Sequence, residues 1–192
     1  MKTQTRIVDL TQLVKEAMPK VAMSLGMALL IALSAHARFY TPFTPVPVTL
    51  QVAAVLFAGF ALGPRWGAFS VIQYFALGFA GAPVFAMASG PAAIFAPSFG
   101  YLAAFLPAAW LTGQLASINR KNLVNGILIA LAGVAVIYIG GSMWLAGYFY
   151  ASGLTVHDSL VAAYTQGIAP FIVVDLIKAI LVGGAFSLVR RQ

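Results

Sequence analysis

Six apolar segments hold only two of the chain's charged residues, and the rest of the charge lies between or outside them. That segregation leaves one solvent to fold in, the lipid bilayer. The segments run over about Val21–Ala37, Val48–Leu62, Trp66–Ala80, Phe99–Ala116, Leu123–Tyr150 and Ile168–Val189. A helix needs about 20 residues to cross the hydrocarbon core, so the second and third are short and leave room for a cavity beneath one face. Hydrophobic residues make up 61% of the 192 and charged residues 8%, against ~45–50% and ~25% in soluble domains. There is too little polar surface to cover a water-soluble body. The expectation is an all-α integral membrane protein with six transmembrane helices. It forms a single domain over 1–192, with a cytoplasmic amphipathic or polar N-terminal segment over 1–18 and the bundle over 19–190.

The breaks between segments follow from backbone chemistry. Thr41-Pro42-Phe43-Thr44-Pro45-Val46-Pro47 cannot be helical, because each proline removes a donor and forces the residue before it to extend. Gly63-Pro64-Arg65 reads as a tight turn. Gly81 to Pro97 is a long apolar loop punctuated by glycine and proline, Asn119–Asn122 is a polar turn, and Ser152–Asp158 is the last connection. Non-helical backbone at membrane depth persists only when it is buried in protein or lines a cavity. With six crossings the loops 39–47 and 81–97 share one side, as a lid would.

Charge sets the orientation. One side holds Lys2, Arg6, Lys15, Lys20, Arg65, Arg120, Lys121, Arg190 and Arg191, and the other only Arg38. Basic residues mark the cytoplasmic side, so both termini are expected there. This asymmetry accounts for the net charge of +7 without a nucleic-acid partner. Cysteine is absent, and two histidines (His36, His157) with four acidic residues make a catalytic metal site a poor expectation. Hydrolase triads, metalloprotease patterns and phosphate loops are missing, so no enzyme is expected. Any ATP that transport uses is bound by another polypeptide.

The two charges inside a segment are Asp175 and Lys178. Three residues apart, they leave the same face of a helix. Each costs about 2.5–3.5 kcal/mol at mid-membrane, and such residues usually mark a substrate or ion path. They read as a polar clamp for a small solute, against two plainer alternatives: a helix-packing ion pair or a lysine snorkelling to the headgroups. Aromatic residues near the outer loops (Phe39, Tyr40, Phe43, Phe85, Phe95, Phe99, Tyr101) suit either a ligand wall or an interfacial belt. Ser24, Ala28, Ala32 and His36 recur every fourth residue, a small-residue face for internal packing or for docking another membrane protein.

Several motifs occur in order: Pro45-Val46-Pro47-Val48-Thr49-Leu50-Gln51, Leu62-Gly63-Pro64-Arg65-Trp66-Gly67, Gly81-Ala82-Pro83-Val84-Phe85, Pro97-Ser98-Phe99-Gly100-Tyr101 and Asp175-x-x-Lys178. Together they resemble the BioY family, the biotin-specific S components of energy-coupling factor (ECF) transporters. The resemblance implies an S-component-like bundle in a prokaryotic cytoplasmic (inner) membrane, with a biotin cavity near the outer face. It implies substrate contacts from Asp175 and Lys178; of the aromatic residues near the loops, Phe85 and Tyr101 are the expected substrate-binding ones. It also implies a transmembrane coupling subunit and ATPase subunits as partners, docked on the first helix at Ala28 and Ala32. The loop Met87-Ala88-Ser89-Gly90-Pro91 departs from the glycine-rich pattern of relatives, and Ser89 is the side chain left there to supply a polar contact. Two other readings are a proton-coupled carrier of another small solute, with Asp175 as the proton site, and a membrane scaffold whose Asp–Lys pair only packs helices.

Overall fold

A computed structural model describes residues 10–119 and 122–189. Six helices account for most of them: α1 (Leu10–Ser34), α2 (Gln51–Phe79), α3 (Phe99–Ile118), α4 (Leu123–Ala151), α5 (Val156–Gly167) and α6 (Ile172–Val189). The N-terminal segment expected over 1–18 is not separate where it is described. Residues 10–18 belong to α1, which runs on through Pro19, and residues 1–9 lie outside the described set. A proline inside a helix leaves one carbonyl without its donor. Pro19 sits among exposed residues near the basic end of α1, where water or headgroups can satisfy that carbonyl.

α2 is one helix only by its hydrogen bonding. At Gly63 the backbone takes φ 76° and ψ −177°, a conformation glycine reaches without steric cost, and Pro64 follows it. The chain reverses there. A Cβ built on Gly67 would lie 2.9 Å from the carbonyl oxygen of Ala58. Far from the turn, Gln51 donates from Nε2 to the Tyr74 hydroxyl at 2.7 Å, although 23 residues separate them. A straight helix would put those residues about 34 Å apart. The arms 51–62 and 64–79 are therefore an antiparallel hairpin, as the Gly-Pro-Arg turn predicts. At 1.5 Å per residue they reach about 18 and 24 Å, short of the ~30 Å core.

By length and apolarity four helices can cross a membrane, or five when α5 and α6, bent by 50° at the break between them, count as one broken span. Because α2 folds back, its two arms bring the apolar segments of the bundle to six. The short polar α5 is not expected from the sequence, where its residues fall partly in the last loop and partly between segments. Thr155 caps it by accepting from the Asp158 backbone N–H at 3.2 Å and donating to the Asp158 carboxylate at 2.7 Å.

α2 packs on α1, α3 and α6, and α4 packs on α3, α5 and α6. Ala28 and Ala32 are buried in the main hydrophobic cluster, with Val55, Ala58 and Val71 of α2 among its members. Ala28 and Ala32, the residues expected to dock a partner, have their methyl groups packed inside the chain. A second cluster lies toward the basic end, where Phe60 meets Phe186 at 4.5 Å between ring centroids. α4 and α6 cross closely at Gly126 and Gly183, where a Cβ on Gly183 would fall 2.4 Å from the Gly126 carbonyl oxygen.

On the opposite side two loops cover the bundle. A two-residue antiparallel ladder pairs Arg38 with Thr49 and Phe39 with Val48, and the proline-rich run arches between these strands, β1 (Arg38–Phe39) and β2 (Val48–Thr49). The second loop, 80–98, carries a single 3-10 turn at Pro91–Phe95.

The α4–α6 crossing yields a paired test. Gly183→Ala should lower the thermal unfolding midpoint in detergent, reflecting about 1–3 kcal/mol of overpacking. Gly147→Ala on α4, where a Cβ meets nothing within 4 Å, should leave it unchanged or raise it by roughly the glycine–alanine helix difference, about 1 kcal/mol. An unmoved midpoint for Gly183→Ala contradicts the close crossing.

Candidate functional site

α6 starts after a bend at residues 168–171, which include Pro170, and its first turn carries Asp175. Asp175 and Lys178 are 2% and 6% exposed, so neither charge is left to lipid or water. Lys178 Nζ donates to Asp175 Oδ1 at 2.6 Å and to the backbone carbonyl of Thr49 at 2.7 Å. The Tyr138 hydroxyl of α4 donates to Asp175 Oδ2 at 2.9 Å. Both carboxylate oxygens thus accept, and the ammonium spends two of its three donors. Thr49 belongs to the loop opposite the basic end of the bundle, so Lys178 points toward that loop and does not snorkel toward the basic end.

The pair forms the floor of a cavity between the loops and the helices. Val46, Pro47 and Thr49 contribute from the first loop, Gln51 and Val52 from the start of α2, and Ala86 from the second loop. Ser98, Tyr101, Leu102 and Phe105 line it from the α3 side, Ile137 and Tyr138 from α4, and Phe171 from the α5–α6 bend. The walls are mostly apolar, with polar groups gathered at one end, the usual character of a small-molecule site. Its open volume is about 50 Å³, room for a few waters. Ligand sites commonly measure ~300–1,000 Å³. The cavity is therefore closed down, with the loops drawn onto the helices.

Of the residues expected at the site, Asp175, Lys178 and Tyr101 meet in this cavity. The Tyr101 hydroxyl donates to the Gly167 carbonyl at 2.8 Å, fixing the ring against the end of α5. Phe85 does not reach the cavity. It is buried behind the wall among Tyr74, Phe75 and Phe79, with centroid distances of 5.3, 6.4 and 5.4 Å. Ser89 is exposed and off the cavity; Ser98 stands there instead, donating to the Met87 sulfur at 3.2 Å. Phe39, Tyr40, Phe43 and Phe95 are exposed, which fits an interfacial belt better than a ligand wall.

Tyr138, Thr49 and Gln51 are the residues that sequence reasoning missed. Tyr138 had a legible signal, a hydroxyl in the middle of the apolar α4. Thr49 acts through its carbonyl, which no side-chain pattern reports. Gln51 holds the lid in register: besides the bond to Tyr74, its Oε1 accepts from the Thr49 hydroxyl at 3.4 Å, and Tyr74 donates to the Val84 carbonyl at 3.3 Å. Among the described residues no three His, Cys, Asp or Glu side chains gather as a metal site would require.

A family model described as the BioY family matches residues 2–192. The chain belongs to the BioY family. Relatives include a probable biotin transporter BioY of Pyrococcus horikoshii, 39% identical over 80% of this chain and 86% of that one. Another is a biotin transporter BioY of Thermotoga maritima, 36% identical over 73% and 78% of the two chains. Among solved structures, the S-component for biotin from an ECF-type ABC transporter superposes with a TM-score of 0.76 at 30% identity, covering 96% of this chain and 95% of that one. The family is one of transporter components, not of enzymes.

Removing one member of the buried pair separates its partners. Lys178→Met leaves the Asp175 carboxylate without its cation and should cost about 3–5 kcal/mol of stability. Adding Asp175→Asn should return most of that loss, because no unpaired charge then remains. Thermal unfolding of the single and double variants in detergent checks this; a double variant no more stable than Lys178→Met contradicts the pairing.

Proposed function

We propose that this BioY-family chain captures biotin from the outer side of a prokaryotic cytoplasmic membrane, as the substrate-binding subunit of an ECF-type uptake system. Both termini lie on the cytoplasmic side, in keeping with nine basic residues on that face against one on the other. A transmembrane coupling subunit and ATPase subunits complete the transporter, and ATP is bound there, since this chain carries no phosphate-binding motif.

The observation that carries the reading is the cavity floor, where an ion pair with spare hydrogen-bonding capacity faces an apolar, aromatic-walled space. Biotin presents a ureido ring with one carbonyl and two N–H groups, an apolar thiophane ring and an ionised valerate. The third donor of Lys178 suits the ureido carbonyl, and the remaining lone pairs of Asp175 suit the ureido N–H groups. Net charge sets the direction of entry. Asp175 and Lys178 together are neutral, so a neutral ureido head adds no uncompensated buried charge, whereas a carboxylate would leave one at high cost. The ring system therefore enters first, between Tyr101, Phe105 and Phe171, and the valerate trails toward the loops. Admission requires those loops to part from the helices, because the open volume is otherwise too small.

Titration of the purified chain tests this. Wild type should bind biotin, with thiamine and riboflavin giving no signal. Asp175→Asn should weaken biotin binding by about 10- to 100-fold, the worth of a charged hydrogen bond, while remaining folded. A folded Asp175→Asn, Lys178→Met variant that binds biotin as wild type does contradicts the site. Uptake of another solute by the chain reconstituted alone, driven by a pH gradient, would favour the proton-coupled carrier instead.

A further inference from the structure

Arg38 is the one basic residue on the outer face, against the trend that keeps cations on the other side. Its backbone pairs with Thr49 across the two-residue ladder. Thr49 and its neighbour Pro47 line the cavity, and the Thr49 carbonyl holds Lys178. The side chain of Arg38 spans the gap between the lid loops and donates to the carbonyl of Ala86, itself a cavity residue. Tyr40 donates to the same carbonyl at 3.2 Å, and the guanidinium carbon lies 5.9 Å from the centre of the Tyr40 ring. Arg38 is thus held over the mouth by two partners, neither of them charged. Among the described residues the only ion pair is Asp175–Lys178, so no described carboxylate pairs with Arg38.

Resting on the reading that biotin binds ring-first, we infer that Arg38 receives the ligand's ionised carboxylate at the cavity mouth. A guanidinium offers five N–H donors in a planar fork that matches a carboxylate, and the Ala86 carbonyl needs only one of them. The two charged devices then divide the ligand. The neutral pair at the floor takes the neutral head, and the unpaired cation at the rim takes the anionic tail. Arg38 also ties the tail to the lid, because the residue that grips the carboxylate bridges both loops. A ligand with the same head and an uncharged tail would enter but lose that grip.

The test compares biotin with biotinol, whose tail ends in an alcohol, by equilibrium titration of the full chain in detergent. Wild type should prefer biotin by about tenfold. Arg38→Gln should bind biotinol as wild type does, within about twofold, and should lose the preference for biotin. Arg38→Lys, which keeps the charge but not the fork, should retain part of it. If Arg38→Gln weakens both ligands equally, Arg38 only fastens the loops and the inference fails. It fails also if Arg38→Gln keeps the wild-type preference. Wild type binding biotin in either case leaves the proposed function standing; wild type binding neither ligand overturns both.

Discussion

The structure depends on a salt bridge between Asp175 and Lys178, buried at the floor of a small cavity. Each charge alone would be costly in such surroundings, and the Coulomb attraction of the couple offsets its desolvation only with further hydrogen bonds. Those bonds come from distant parts of the chain: the Tyr138 hydroxyl from α4 and the Thr49 carbonyl from the first loop. Satisfying the pair therefore fixes α6 against α4 and seats the first loop on the bundle. Because the remaining hydrogen-bonding capacity faces the cavity, the same interaction that orders the fold prepares the floor of the proposed binding site.

The lid is positioned by the α2 hairpin. A reversal at Gly63 and Pro64 brings both ends of α2 to the side of the two loops, so that Gln51 can reach Tyr74 and Tyr74 can reach Val84. One side-chain chain thus links the start of the hairpin, its end and the second loop. Both arms are too short to span the hydrocarbon core, and the loops fill the depth the arms leave open. Their backbone polar groups are not stranded there. The Thr49 carbonyl accepts from Lys178, and the Ala86 carbonyl accepts from Arg38 and Tyr40.

Much of the architecture was legible in the sequence because the bilayer enforces it. Apolar segments, prolines and glycines mark crossings and breaks, and the Gly63-Pro64 turn falls where expected. Asp175 and Lys178 stood out because charge is scarce. The misses have physical causes. α5 has its cap at Thr155 and Asp158, but its length and its polar residues His157, Thr165 and Gln166 resemble a loop to a hydropathy reading. A small-residue row does not say which neighbour it meets, and Ala28 and Ala32 meet α2. Phe85 and Tyr101 look alike as loop-side aromatics; only the backbone of the 80–98 loop decides that Phe85 packs behind the wall. Tyr138 carries its role through a partner 37 residues away, a pairing that periodicity along one helix does not reveal.

The most direct test of the central claim is a structure of this chain solved with biotin bound. The account predicts the ureido group within hydrogen-bond distance of both Asp175 and Lys178, with the thiophane ring between Tyr101 and Phe171 and the loops displaced to admit it. Biotin seated elsewhere, with Lys178 still donating only to Asp175 and the Thr49 carbonyl, would contradict it.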